Sequence, residues 1–271
     1  MIAPRDFTGF FYVTITPMPK NLNAIVLAAG KGKRVNARGL PKVLYQLDGK
    51  PMILFVLELL RAIAISKPII VVGWHGAKVV KAAGKKYRYV WQRRQLGTAH
   101  AAWQAHSLLQ GKSGYTFVVN GDNPMFKPAT LKRMIARVKA TGATLAIASA
   151  KAEDQLGLGR LITDQSGHVI KIVEEKNATT DERRRFKWKN AGPWLVENKF
   201  LWQTLPKIAK NPISVEYYLT DLLELAVAEE RRAIAVPVSD VSEAIGVNTL
   251  EHLELAEKAY EAQSQNKRYH P

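Results

Sequence analysis

No cysteine occurs in the 271-residue chain, and that absence excludes disulfides, thiolate nucleophiles and thiolate zinc sites together. It fits a cytoplasmic protein in a reducing compartment. The six histidines are scattered, with no metal-ligand spacing among them. No apolar run approaches the roughly 20 residues that span a bilayer, so no membrane partner is expected. The N-terminal "GFFYVTIT" is apolar, yet one basic residue precedes it and no small-residue cleavage site follows, which speaks against a signal peptide. Met18 offers a second start, which would make residues 1–17 an upstream extension. No hexapeptide repeat is present, and this excludes a left-handed β-helix. Acids are scarce as well: 23 stand against 40 lysines and arginines, a net charge of +17.

That balance attracts polyphosphates, nucleic acid and anionic surfaces through the summed field of the protein. The charge is spread along the chain rather than confined to one tail. Two clusters, "KKYRYVWQRR" and "ERRRFKWK", mix cations with aromatics, as a single-stranded nucleic-acid groove does. No nucleic-acid-binding motif accompanies them. They read as solvated faces of a basic protein, and nucleic acid is not an expected partner.

Strand-like runs at 23–29, 68–74, 87–92, 115–122 and 143–150 alternate with helical patterns at 52–64, 76–86, 98–109 and 128–140. The alternation predicts an α/β fold, a mostly parallel sheet with helices on both faces. After Ala150 the pattern changes. Segments 158–164 and 168–175 flank the turn "QSGH" as an antiparallel hairpin, 191–197 and 232–238 read as strands, and 214–230 and 249–265 as helices. No Gly- or Pro-rich linker separates the halves. One domain with two lobes is therefore expected over 21–260, between an extension at 1–20 and a basic tail at 261–271.

"LAAGKGKRVNARGLPKVL", Leu27 to Leu44, packs three glycines and five cations into a loop-like stretch after the first strand. A strand, a glycine-rich loop and a helix place backbone N–H groups against a phosphate, beyond the carboxyl end of the strand. Gly30 and Gly32 allow positive φ and close backbone approach. Lys31, Lys33, Arg34, Arg38 and Lys42 then neutralise what binds. The loop matches neither GxGxxG nor GxxxxGK[ST]. On spacing alone, a bound polyphosphate and a solvated turn both fit.

The longer string, LAAGKGKRVNARGLPKVLYQLDGKPM, resembles the LAAGxGTRMxSxxPKxLxxLxGKPM signature of sugar-nucleotide pyrophosphorylases. It is most similar to the uridyltransferase domain of bacterial bifunctional N-acetylglucosamine-1-phosphate uridyltransferase/acetyltransferases. "QLGTAHA", "NGDNPM", "GLGRLI", "IVEEKNAT", "NAGPWLV", "EYYLTD" and "GVNT" follow in the family order, so the resemblance covers roughly 23–257. No counterpart of the family's acetyltransferase half is found in the chain. The resemblance implies a Rossmann-like mixed sheet with a smaller sugar-binding lobe, making 21–260 a nucleotidyltransferase domain. It also implies a reaction. A sugar 1-phosphate, with N-acetylglucosamine 1-phosphate leading, attacks the α-phosphorus of UTP and releases pyrophosphate, with Mg²⁺ assisting. Such chemistry needs positioning and charge neutralisation more than a protein nucleophile.

Residue roles follow from the same match. Leu27, Ala28, Ala29 and Gly30 fall in the segment whose backbone reads uracil and approaches the phosphates. Arg34 matches the arginine facing pyrophosphate, and Lys42 the lysine on the reacting phosphates. Gln92 would read the uracil edge, while Gly97 and Thr98 open a helix whose free N–H groups and N-cap hydroxyl are available. Asn120 and Gly121 precede Asp122, a metal ligand with Asn248 as the second. Turn formation at Asp122 and N-capping by Asn248 are the rival readings. Gly159, Glu174 and Asn190 match sugar-contacting positions. The chain departs from the family at four places. Lys33 replaces threonine, Asn120 tyrosine, Ala191 threonine and Ile245 an acid, and these changes bear mainly on sugar selectivity. The alternatives are a nucleotidyltransferase for another hexose 1-phosphate or another nucleotide, a non-catalytic UDP-sugar-binding protein and a nucleic-acid-binding protein. In bifunctional relatives the β-helix half drives trimer formation, so a monomer or weak dimer is expected here.

Overall fold

The structure, a computed structural model, describes residues 21–32, 39–152, 156–174 and 178–269. In chain order the first half comprises β1 (Leu22–Ala28), the short strands β2 (Gln46–Leu47) and β3 (Lys50–Pro51), α1 (Met52–Ala62), β4 (Ile69–Val72), α2 (Gly76–Ala83), β5 (Arg88–Trp91), α3 (Thr98–Trp103), α4 (His106–Leu109), β6 (Tyr115–Asn120), α5 (Pro128–Thr141) and β7 (Leu145–Ala150). The second half comprises β8 (Arg160–Thr163), β9 (Val169–Val173), α6 (Thr180–Arg185), β10 (Lys189–Glu197), α7 (Asn198–Thr204), α8 (Asp221–Ala228), β11 (Ala233–Pro237) and α9 (Leu250–Tyr269).

The main sheet runs β11-β7-β10-β6-β1-β4-β5, with the β8–β9 hairpin joined at the start of β10. All pairs on that path are parallel except those of β10, which is antiparallel to both β6 and β7. This is the mostly parallel mixed sheet expected, with the hairpin lobe at one end. Burial on both faces explains the near-continuous apolar strands. Ala24, Val26 and Ala28 of β1 pack with α1, α2 and α5, whereas Ile25 packs with α3, α7 and α8 on the other face. Each fully buried Ile or Leu in these layers contributes about 1.5–3 kcal/mol.

Strand β1 has β6 on one side and β4 on the other, so the chain order reverses there. In open α/β sheets that reversal opens a crevice beyond the carboxyl ends of the strands. Leu27 is paired with Asn120, and Gly121 N–H donates to Leu27 O at 2.9 Å, tying the two strand ends together.

Four elements differ from the sequence reading. Segment 98–109 is two helices rather than one. Ala105 takes bridge-region dihedrals (φ −87°, ψ −1°) and Trp103 stacks on His106 across the break. The helix expected over 214–230 is only Asp221–Ala228. Residues before it form a strap crossing the start of α3: Tyr217 N–H donates to Leu96 O at 2.8 Å and Ala99 N–H to Tyr217 O at 3.0 Å. Those tertiary bonds use the backbone groups that a longer helix would have needed. The β2–β3 hairpin, turned by Asp48 (φ 51°) and Gly49 (φ 71°), carried an Asp-Gly signal that the sequence reading passed over. Lastly, α9 is helical through Tyr269, well into the stretch expected as a basic tail. Pro193, awkward inside a sheet, sits where β10 shifts register between Asn190 and Trp194.

Candidate active site

A cavity of about 630 Å³ opens at the crevice beyond β1 and β6. Its walls include Leu27, Ala28, Ala29 and Gly30 after β1, Lys42 from the following 3₁₀ turn, Gln92 after β5, Gly97 and Thr98 at the start of α3, Asn120 and Asp122 after β6, and Asn248 before α9. Residues from distant parts of the chain therefore meet there. Arg34, together with Lys33 and Arg38, lies outside the described residues.

The centre of the site is an ion pair with a third partner. Lys42 Nζ contacts Asp122 Oδ2 and donates to Asn248 Oδ1 at 2.7 Å. Both charged side chains are mostly buried, at 17 % and 16 % exposure, so solvent screens the pair little. Main chain sets this meeting: Val247 N–H donates to the carbonyl of Asp122 at 3.1 Å, which brings Asn248 alongside. Behind it, Ile245, Val247 and Ala256 pack in a small apolar cluster with Tyr45 and Met52, anchoring the start of α9 to the β2–β3 region. N-capping does not occupy Asn248. Thr249 does that work, accepting His252 N–H at 3.2 Å.

Glycine is required at two positions here. Gly32 has φ +59°, and a Cβ on it would lie 2.8 Å from Lys42 Cβ, so its lack of a side chain lets the loop cross the lysine stem. Gly97 has φ +99°, and a Cβ would lie 2.3 Å from Tyr217 O. By contrast, Gly30 has no positive φ and faces open space. Thr98 does not cap α3 with its side chain; its Oγ1 accepts Leu219 N–H at 2.8 Å. Its own O–H remains a donor at the cavity wall.

Gly121, Gly159, Glu174 and Asn190 do not line the cavity. Gly121 packs against Val43 beneath it. The other three cluster in the hairpin lobe: Asn190 N–H donates to Gly159 O at 2.7 Å, and a Cβ on Gly159 would stand 3.8 Å from Glu174 Oε1. Asn123 links this lobe to the cavity, because its Nδ2 donates to Ala191 O at 3.3 Å beside Asp122. The sequence reading missed Gln95 and Glu216, both in the wall. Glu216 sits in the "EYYLTD" string, but a helix assigned over 214–230 concealed its place on the strap.

Residues 24–234 match the MobA-like NTP transferase domain. The chain belongs to that family. It is 39% identical over 240 residues to the bifunctional protein GlmU of Enterococcus faecalis, covering 88% of this chain and 52% of that protein. The chain thus spans about half the length of the curated relatives it matches. Solved structures share the fold at low identity. A UDP-glucose pyrophosphorylase complexed with UDP-glucose superposes with TM-score 0.70 at 17% identity, covering 90% of this chain and 99% of that one. The inositol-1-phosphate CTP transferase of T. maritima gives 0.64 at 18%, covering 89% and 98%. Within this family setting, the Lys42 cluster offers one further reading. A carboxylate oxygen and an amide oxygen converge on one ammonium, a stand-in for a hard cation. Among the described residues no group of three or more His, Cys, Asp or Glu could hold a metal by itself. A cation at Asp122 and Asn248 would complete its shell with water and phosphate oxygens, a donor set that fits Mg²⁺. Among the described residues, no helix is long and apolar enough to cross a membrane.

Proposed function

We propose that this protein transfers a uridylyl group from UTP to a sugar 1-phosphate, with N-acetylglucosamine 1-phosphate the leading acceptor, in the cytoplasm. The observation that carries the reading is the meeting of Lys42, Asp122 and Asn248 at the mouth of the glycine-rich loop. The extended likeness to GlmU supports it.

In the proposed step a phosphate oxygen of the sugar 1-phosphate attacks the α-phosphorus of UTP. The bond to the β-phosphate breaks, and pyrophosphate leaves with the electron pair. Asp122 and Asn248 would hold Mg²⁺, which supplies charge neutralisation at the phosphates. Lys42 would turn its ammonium from these oxygens to the reacting phosphates, where one well-placed donor is worth about 2.7–4 kcal/mol. The backbone of 27–30 and the Thr98 hydroxyl would hold the nucleotide, with Gln92 and Gly97 on the base. Asn120 and Gly121 would shape the floor. Gly159, Glu174 and Asn190 would read the sugar from the hairpin lobe, and Arg34 is assigned to pyrophosphate on the family match. A monomer or weak dimer is the proposed assembly.

The test is pyrophosphate release across nucleotides and sugar 1-phosphates. UTP with N-acetylglucosamine 1-phosphate should be fastest, stop with chelator and resume with MgCl₂. Binding of UDP-sugar with no pyrophosphate release from any pair would overturn the proposal. The same matrix separates a second reading, another hexose 1-phosphate, favoured by Asn120 in the wall where the family carries a bulkier tyrosine.

A further inference from the structure

The side-chain amide of Gln92 is held in one orientation. Gln92 follows β5 and is 3 % exposed, and its backbone N–H donates to Val72 O at 2.8 Å. Its Nε2 lies 3.0 Å from Gly97 O and 2.9 Å from Nδ1 of His100. A carbonyl only accepts, so the atom facing Gly97 is the NH₂ group. One of its hydrogens goes to Gly97 O and the other to His100 Nδ1. Gln104 Nε2 lies 3.4 Å from His100 Nε2, so both ring nitrogens face amide groups; the shorter, 2.9 Å contact at Nδ1 selects that nitrogen as the acceptor, in a neutral imidazole with its proton on Nε2. Among the described residues Oε1 of Gln92 has no hydrogen-bond partner, and Gln92 is a residue of the cavity wall. The amide therefore shows the cavity an acceptor and no donor.

We infer that His100 is a positioning residue for nucleobase choice: by taking the second amide hydrogen of Gln92, it turns Oε1 toward the base as an acceptor. This rests on the reading of the cavity as a nucleotide site. An acceptor at the middle of the base edge pairs with the N3–H of uracil or thymine. Cytosine offers a lone pair at that position, and must shift along the edge to offer its amino group instead. A site built for one hydrogen bond discriminates against the analogue that lacks it.

The surroundings of His100 favour the neutral form. Tyr217 of the strap stacks on the ring at 27°, Gln104 just past the end of α3 donates to the His100 carbonyl, and Arg94 approaches from the loop after β5. Burial first, and the Arg94 charge second, push the imidazole below its ordinary pKa.

His100→Phe keeps a ring beneath Tyr217 and removes Nδ1, whereas His100→Asn returns an acceptor near the place of Nδ1. Pyrophosphate release by the full chain is measured with UTP, TTP and CTP at a fixed sugar 1-phosphate. The wild type should prefer UTP and TTP. His100→Phe should raise the KM for UTP about tenfold with kcat little changed, the size of one uncharged hydrogen bond, and should shrink the UTP:CTP preference equally. His100→Asn should restore both. An unchanged preference in His100→Phe, or a loss that His100→Asn does not repair, would overturn the inference while leaving UTP turnover intact. No turnover of any nucleotide by the wild type would instead overturn the underlying reading. Long-range ¹H–¹⁵N spectra of the wild type give a check free of any variant: an Nε2–H tautomer at His100 supports the inference, and an Nδ1–H tautomer ends it.

Discussion

Lys42 Nζ donates to Asn248 Oδ1 at 2.7 Å across 206 residues of chain. The same ammonium contacts Asp122, so one cation gathers the loop after β1, the loop after β6 and the entry to α9. Asp122 also accepts Val247 N–H through its main chain. The meeting is thus held by backbone as well as by charge.

Lys42→Met separates these roles. Its kcat should fall by about 100–1,000-fold, the loss typical of one missing donor to developing charge. Folding should persist, because the Val247–Asp122 bond remains. Binding of Mn²⁺ to the nucleotide-free protein should not weaken, since the competing ammonium is gone. Weaker Mn²⁺ binding would make the lysine a structural support rather than a phosphate ligand.

Glu174 lies with Gly159 and Asn190 in the hairpin lobe, away from the cavity walls. Glu174→Ala should raise the KM for N-acetylglucosamine 1-phosphate about tenfold and the KM for UTP by much less. Equal rises for both substrates would remove the carboxylate from sugar recognition.

At Gly97 the φ of +99° and the Tyr217 carbonyl leave no room for a methyl group. Gly97→Ala should cost about 1–3 kcal/mol of stability. Thermal unfolding measures the loss. Weaker UTP binding should accompany it, because the strap must move off α3. An unshifted melting temperature would show that the strap is not held as described.

Asp240 connects pH to the entry of Asn248. Its carboxylate accepts Ser242 N–H at 3.0 Å, Lys127 Nζ at 2.9 Å and the Ser242 hydroxyl at 2.8 Å, and these bonds, the backbone one foremost, hold its pKa at about 2. A carboxylate whose pKa is lower in the fold stabilises above its ordinary value of 3.8, and that contribution fades as pH falls from there towards about 2. At 39 % exposure the effect is damped by solvent. The stability gap between wild type and Asp240→Asn, from denaturant unfolding, should therefore be constant near neutral pH and close through that acid window. A gap independent of pH would place the group outside the linkage.

Much of this architecture was readable from local pattern. The short β-branched and aromatic run at 115–120 reads as a strand and the amphipathic stripe of 128–141 as a surface helix, and both form. Elements set by distant partners were not readable. The strap at 214–220 continues into the apolar pattern of α8, yet Leu96, Thr98 and Ala99 claim its backbone groups. The break at Ala105 coincides with the stacking of Trp103 on His106, for which spacing carries no signal.

What the residues determined on their own is the alternating α/β order, the glycine-rich loop after the first strand and the family, because each depends on neighbours in the chain or on ordered motifs. Tertiary structure alone decided which side chains share a cavity. Lys42, Asp122 and Asn248 are joined through the β1–β6 register and the Val247–Asp122 bond, while Glu216 enters and Glu174 stands apart. A contact between residues hundreds of positions apart is set by sheet order and packing, and neither has a local signature.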